Sequence, residues 1–211
     1  MKVTILCTDP AHPVNAWLER WAAARAGHAA ITLARDKAEL AGGDFLFLIS
    51  CHQIIGSELR ARFRHTLVIH ASDLPRGRGW SPLAWAIAEG ASSATVTLLT
   101  AEDALDSGDI WAQRVLEFDG TELHDEINAK LFDAEVELMS WALDHCDTAR
   151  PRRQEGDATY LPRRTPADSQ IDPARSLAEQ FDRLRIADPD RYPAFFDYRG
   201  QRYRIRLEKM T

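Results

Sequence analysis

Short apolar runs alternate with amphipathic stretches along the first 118 residues. The runs predict six strands, at residues 3–7, 30–33, 45–49, 66–69, 95–99 and 110–118. Between them, apolar positions recur with helical spacing from Trp17 onward and over residues 54–63 and 82–89. Because strands that alternate with helices usually pair in parallel, this order predicts an α/β domain with a mainly parallel sheet.

The last third of the chain predicts a long helix, a connector and a hairpin. Apolar residues recur every three or four positions from Leu123 to Trp141, so we expect a helix that Thr121 N-caps and that reaches about His145. Residues 148–174 are rich in Pro, Arg, Asp and Thr, which indicates an extended connector over the surface. A short helix at 177–184 and a β-hairpin of 194–198 with 203–207 should follow. We therefore divide the chain into a core domain, 1–148, and an appendage, 149–211.

Composition narrows the classes of function. The chain has 211 residues, with 26 Lys and Arg against 32 Asp and Glu and a formal charge of −6. This balance argues against a protein that grips a nucleic-acid backbone and favours small-molecule partners. The three cysteines form no CxxC pair and fit a reducing cytoplasm. The apolar run at the amino terminus is too short for export or membrane insertion, and His124 and His145-Cys146 lack partners at metal-ligand spacing. We expect a cytoplasmic protein with no metal, nucleic acid or membrane.

The most unusual residues lie between His70 and Pro82, where a predicted strand leads into a helix. Ligands of open α/β sheets bind at such strand ends. A histidine there can exchange protons near neutral pH, and the glycines at 77 and 79 let the backbone approach a ligand. The local pattern equally allows a buried histidine that is satisfied by a backbone carbonyl.

A second cluster, Asp106-Ser107-Gly108, follows the strand at 95–99. Asp106 could approach the His70 imidazole and fix its tautomer. Taken alone, the same residues are typical of a simple turn.

Together the two clusters resemble the formyltransferases that use 10-formyltetrahydrofolate, a family that includes glycinamide ribonucleotide, methionyl-tRNA and sugar-nucleotide N-formyltransferases. The family motif is a His, then Ser-x-Leu-Pro, Arg-Gly and a Pro that opens a helix, and it is followed by a strand and Asp-x-Gly. Its counterparts here are His70, Ser72, Leu74-Pro75, Arg78-Gly79, Pro82 and Asp106-Ser107-Gly108. Residues 161–168 also look like the Arg-x-Pro-x-Asp segment that follows the core of sugar and tRNA members. The resemblance implies a Rossmann-like α/β fold with helices on both faces of the sheet, to which the apolar pattern adds the short C-terminal helix and the β-hairpin.

The resemblance also implies roles for individual residues. His70 would be the catalytic proton carrier and Asp106 would orient it. The family has an Asn two positions before this His, where this chain has Val68. Loss of such an oxyanion donor costs about 10²–10³ in rate, so either activity is low or another group substitutes, for which we name His52 and Gln53. The residues expected at the folate are Ser50, Cys51, Leu99, Asp103 and Leu105, and those expected at the acceptor are Ser72, Arg78, Arg163 and Arg164.

Arginines and aromatic residues outside the motif have two interpretations each. Five arginines, at 150, 152, 153, 163 and 164, could bind an anion or form a solvated connector. Trp80 and Trp85 could stack on a ligand ring or pack in the core. The aromatic hairpin could pair two copies into a homodimer or cover its own core.

Three functions remain open. The favoured one is transfer of the formyl group of 10-formyltetrahydrofolate to an amino sugar in nucleotide-linked form. The second is a glycinamide ribonucleotide formyltransferase, and the third is a catalytically silent ligand-binding protein on the same scaffold. Methionyl-tRNA formylation is disfavoured, because those members carry an additional β-barrel domain that residues 152–211 scarcely provide.

Overall fold

Six strands form the central sheet in the computed structural model, which describes residues 1–210. They are β1 (Lys2–Leu6), β2 (Ala30–Ala34), β3 (Gly43–Leu48), β4 (Phe63–His70), β6 (Ser93–Thr100) and β7 (Ile110–Glu117), while β5 (Arg78–Gly79) lies outside the sheet. The order is β2-β1-β3-β4-β6-β7. Strands β1 to β4 are parallel, and β6 is antiparallel to both β4 and β7. The predicted Rossmann-like, mainly parallel sheet is confirmed.

Five α-helices accompany the strands in the described part of the chain. They are α1 (Asn15–Arg25), α2 (Ser57–Arg60), α3 (Pro82–Ala88), α4 (His124–Asp144) and α5 (Phe181–Arg185). The helix predicted over 54–63 was wrong in extent, because Gly56 is still extended and Phe63 already pairs with Gly43 in the sheet. Thr121 does not cap α4; its hydroxyl donates to Asp119, and the helix begins three residues later.

The two faces of the sheet are covered differently. One face packs on α1, α3 and α4 through a large apolar cluster that includes Leu18, Phe47, Leu67, Ile87 and Leu138. The other face has a smaller cluster around Leu6, Leu46 and Phe63, covered by α2 and the turn at Lys37–Glu39. Because side chains alternate along a strand, Val68 and His70 lie on the face opposite Leu67. That face is free of long helices near His70, and loops and the connector cover it instead.

The connector is an extended and mostly exposed segment, as expected, and it is tied to the core at two points. A short strand, β8 (Tyr160–Leu161), pairs in parallel with β5, and Arg152 forms an antiparallel bridge with Ile110. Buried Arg185 of α5 contacts Glu122 and Asp182, which ties this helix to the segment before α4.

The predicted hairpin is confirmed and consists of β9 (Ala194–Tyr198) and β10 (Gln201–Ile205). Its turn, Arg199-Gly200, has left-handed backbone at both residues, as a two-residue hairpin loop requires. Phe195 is buried, and Phe196 stacks on Tyr203. The hairpin thus covers its own core in part, and a homodimer stays a prediction. No helix within residues 1–210 is long and apolar enough to cross a membrane.

Candidate active site

His70 ends β4 and is buried, with 8% of its side chain exposed. Its Nε2 lies 2.7 Å from the carbonyl oxygen of Gly77, and its Nδ1 lies 3.7 Å from Oδ2 of Asp106. A carbonyl oxygen can only accept, so Nε2 carries a hydrogen and donates it to Gly77. The structure brings the two sequence clusters together. The imidazole lies between the motif loop, residues 71–81, and the carboxylate of Asp106.

Asp106 reaches His70 from the loop between β6 and β7. Its backbone is left-handed, with φ of 49°, and its carboxylate accepts a hydrogen bond from the backbone N–H of Gly79 at 2.9 Å. Gly108, in the same loop, lies so close to the end of β6 that a Cβ on it would be 1.9 Å from the carbonyl oxygen of Thr100. Only glycine allows that approach, so Gly108 fixes the turn that presents Asp106.

Gly79 links the motif loop to the connector. It has φ of +104°, and a Cβ on it would lie 2.6 Å from the carbonyl oxygen of Leu161. The N–H of Gly77 donates to the hydroxyl of Thr159 at 2.9 Å. The connector therefore forms one wall of the site.

Val68, at the position of the family Asn, lies in an apolar cluster with Leu74, Leu99 and Ile110. The family donor is thus replaced by apolar packing. The hydroxyl of Ser72, two residues beyond His70, is buried and has no hydrogen-bond partner among the described residues.

The two candidate replacements for the Asn are placed differently. Gln53 donates to Asp36 at 2.6 Å and accepts from the N–H of Lys37 at 2.8 Å, so its amide is occupied on the connection between β2 and β3. In the observed conformation the Gln53 amide is therefore engaged away from the motif loop, and its oxyanion role stays a prediction. His52 is exposed, and its ring lies 6.1 Å from that of Trp80, next to Gly79. Of the pair, His52 is the one that lies beside the motif loop.

Four of the five residues predicted at the folate lie in two loops, and the fifth, Leu99, lies on β6. The side chain of Leu99 is fully buried in the apolar cluster with Leu74 and Ile110, so in the observed conformation it offers no surface to a ligand. Ser50 and Cys51 follow β3, and Asp103 and Leu105 follow β6. Arg60 joins the two loops, because its guanidinium donates to the carbonyl oxygen of Ile55 at 2.7 Å and to the carboxylate of Asp103 at 2.7 Å.

His12 lies beside Ser50, in the loop predicted to hold the folate. The sequence reasoning missed this histidine. Its Nε2 lies 3.3 Å from the hydroxyl of Ser50, and its Nδ1 accepts from the N–H of Val14. Burial, together with the charge of Arg191, lowers the pKa of His12 to about 4. Its position in the loop after the first strand was the available signal, since polar residues at strand ends point to a site.

The predicted acceptor residues lie along the connector. Arg78 donates to Oε1 of Gln154 at 2.6 Å. The guanidinium of Arg163 covers the exposed ring of Trp80 at 5.1 Å, and that of Arg164 covers Trp85 at 5.7 Å. Nε and Nη2 of Arg164 are buried without a hydrogen-bond partner, and burial lowers the pKa of its guanidinium. This is the kind of group that an anion would satisfy.

Two of the other three connector arginines are engaged with the protein itself. Arg150 donates to the carbonyl oxygens of Thr148 and Ala149, and Arg152 donates to the side chain of Gln113. The five arginines therefore do not act as one patch, and Arg163 and Arg164 are the pair beside the tryptophans. Within residues 1–210, no group of three His, Cys, Asp or Glu side chains could hold a metal ion.

Comparisons with known proteins agree on one family. The formyl transferase family matches residues 9–143. A methionyl-tRNA formyltransferase of Acidobacterium capsulatum is 31% identical over 159 residues, which are 74% of this chain and 51% of that protein. The chain spans about half the length of the curated relatives it matches, from 44% to 51%.

Solved structures share the fold over the whole chain. A methionyl-tRNA formyltransferase from Clostridium thermocellum superposes with a TM-score of 0.82 at 26% identity, covering 100% of this chain and 94% of that one. A sugar N-formyltransferase from a Shewanella species shares the fold at 17% identity, with a TM-score of 0.75 and coverage of 100% and 98%. From its matching residues and its fold, this chain belongs to the formyl transferase family.

Proposed function

We propose that this chain transfers the formyl group of 10-formyltetrahydrofolate to the amine of a nucleotide-linked amino sugar. The observation that carries the proposal is the buried contact of His70 with Asp106, 3.7 Å apart, in a chain of this family. A histidine held by a carboxylate can move a proton between two nitrogens, which acyl transfer to an amine requires.

The side chains divide the work as follows. The folate supplies an activated formyl group. Asp106 holds the ring of His70 from the Nδ1 side, and Nε2 is the nitrogen that can point to a formyl oxygen. Nε2 now donates to the Gly77 carbonyl, so a substrate oxygen must take the place of that carbonyl. Val68 cannot donate, and His52 is the nearby side chain that we assign to stabilise the oxyanion.

The loops after β3 and β6 suit a flat ring such as a pterin. Ile54 is 88% exposed and Leu105 is 55% exposed, so both offer apolar surface that a ligand could cover. The contacts of Arg60 with Ile55 and Asp103 hold these two loops side by side. We place the folate between them, with Ser50 and Cys51 at the inner end.

Arg163 and Arg164 support an acidic acceptor. Arg164 has two buried guanidinium nitrogens without partners, and Arg163 lies over Trp80, a residue that is 41% exposed. A nucleotide-linked sugar contains a phosphate, which can pair with a guanidinium, and a base ring, which can stack on an indole. The Shewanella protein of the same fold, a sugar N-formyltransferase, adds support.

The experiment is a donor-dependent assay with several amines. Tetrahydrofolate release from 10-formyltetrahydrofolate is followed with nucleotide-linked amino sugars, glycinamide ribonucleotide, methionyl-tRNA or no acceptor. We expect release only with an amino sugar, and we expect His70→Ala to lose several orders of magnitude in kcat with little change in folate affinity. Arg164→Ala should raise the acceptor KM by roughly 10- to 150-fold, the equivalent of about 1.5–3 kcal/mol, and leave folate binding unchanged.

Other results would replace the proposal. Turnover with glycinamide ribonucleotide alone would make that the substrate. Folate binding without turnover of any amine would identify a silent binding protein. A His70→Ala variant that keeps most of its kcat would remove His70 from the mechanism.

A further inference from the structure

The turn that carries Asp106 depends on partners outside its own loop. Asp106 has a left-handed backbone, which is unfavourable for a non-glycine residue. The carbonyl groups of Asp106 and Gly108 on this turn point to the connector. Something in the connector must therefore hold the turn in place.

Gln154 supplies that contact. It is the only residue of 151–160 that is not exposed. Its Nε2 donates to the carbonyl oxygens of Asp106 at 2.8 Å and Gly108 at 2.9 Å, and its Oε1 accepts from Arg78 at 2.6 Å. Carbonyls can only accept and a guanidinium can only donate, so the amide has one possible orientation. Both of its hydrogens and one oxygen lone pair are used.

These bonds connect Gln154 to His70 through two steps. Gln154 holds the backbone of the turn, and the Asp106 carboxylate on that turn contacts both the N–H of Gly79 and the Nδ1 side of His70. If the turn relaxed, the carboxylate would move relative to both groups. We propose that Gln154 is a positioning residue that sets Asp106 against His70, an inference whose catalytic part rests on the proposed function.

The chemistry of Gln154 gives a matched pair of variants. Gln154→Glu has nearly the same shape and can still pair with Arg78, but its carboxylate cannot donate to the two carbonyls. Gln154→Met removes the amide without adding charge. Gln201→Glu is the control, because Gln201 is exposed on the hairpin.

The first measurement needs no activity. Amide hydrogen exchange of Gly79, followed by NMR, reports whether the Asp106 carboxylate still accepts its N–H. Both Gln154 variants should exchange at Gly79 about tenfold faster or more, since one protecting hydrogen bond is lost. Gln201→Glu should match the wild type. Wild-type exchange at Gly79 in both variants would overturn the inference, even if the protein transfers no formyl group.

The second measurement separates positioning from general stability. In the formyl-transfer assay, the variants should lose about 100-fold in kcat with KM for both substrates within about twofold, because only the catalytic geometry changes. The assays are run at temperatures well below the unfolding midpoint of each variant. If kcat is still about 100-fold lower there, partial unfolding is not the cause. Faster exchange with unchanged kcat would show that Gln154 holds the turn but does not set the catalytic geometry. A rise in KM alone would show that it acts on substrate binding, and either result would overturn the catalytic part of the inference.

Discussion

Replacing Glu135 with glutamine should make the stability of this protein much less dependent on pH. Glu135 lies on α4 and faces the apolar core, where 7% of the residue is exposed. Its Oε2 has no hydrogen-bond partner among the described residues. Burial raises the pKa of this carboxyl from its usual 4.5 to about 8. The folded protein therefore holds a proton that the unfolded chain releases at neutral pH.

The size of the effect follows from this difference in pKa. The folded state binds more protons than the unfolded state between pH 4.5 and about 8, so stability falls as pH rises through that window. Each pH unit is worth about 1.4 kcal/mol, so the loss reaches about 3 kcal/mol at pH 7 and about 5 kcal/mol above pH 8. Glutamine is neutral throughout and does not have this loss. The advantage of Glu135→Gln over the wild type should grow by those amounts.

Urea unfolding of both proteins at pH 5, 6, 7 and 8 measures the difference. Glu126→Gln is the contrasting variant, because a hydrogen bond from Lys209 and another from the N–H of Leu123 lower the pKa of Glu126. Its stabilising effect is present above its unfolded pKa and is lost as pH falls, so this variant should be less stable than the wild type at neutral pH. A constant difference between Glu135→Gln and wild type from pH 5 to 8 would refute the reasoning, because the buried carboxyl would then be ionised in the folded state.

Three further predictions use single side chains. Gly108→Ala should lower the free energy of unfolding by about 1–3 kcal/mol, since its Cβ would lie 1.9 Å from the Thr100 carbonyl oxygen. Gly27→Ala, with nothing within 4 Å of its Cβ, should change the free energy of unfolding little. Equal effects of the two variants in urea unfolding would contradict this reasoning. Burial lowers the pKa of His12 to about 4, so the wild type should lose stability as pH falls from 6.5 to 4. His12→Gln should lose less stability over the same range. Parallel acid-unfolding curves for the two proteins would contradict this prediction. In single-turnover formyl transfer, His52→Ala should slow the reaction about 100-fold, and an unchanged rate would place the oxyanion at a backbone N–H instead.

The sequence by itself determined most of the elements and the positions of the two clusters. Apolar runs and helical spacing depend on which side chains face the core, and that pattern is local. It therefore located β1 to β4, β6, β7, α4 and the hairpin, and it placed His70 at a strand end. The formyltransferase motif added the order of His70 and Asp106, because spacing along the chain is also a local property.

Tertiary structure alone decided strand direction and the walls of the site. Strand β6 runs antiparallel to both β4 and β7, a choice that apolar periodicity does not encode. The Gln53 amide donates a hydrogen bond to Asp36, and the Gln154 amide donates one to the carbonyl oxygen of Asp106, 48 residues away in the sequence. Hydrogen bonds of this kind exist only once distant segments have packed together, so no pattern within a short window could predict them. For this reason the sequence located His70 and Asp106, and only the folded chain revealed what holds them.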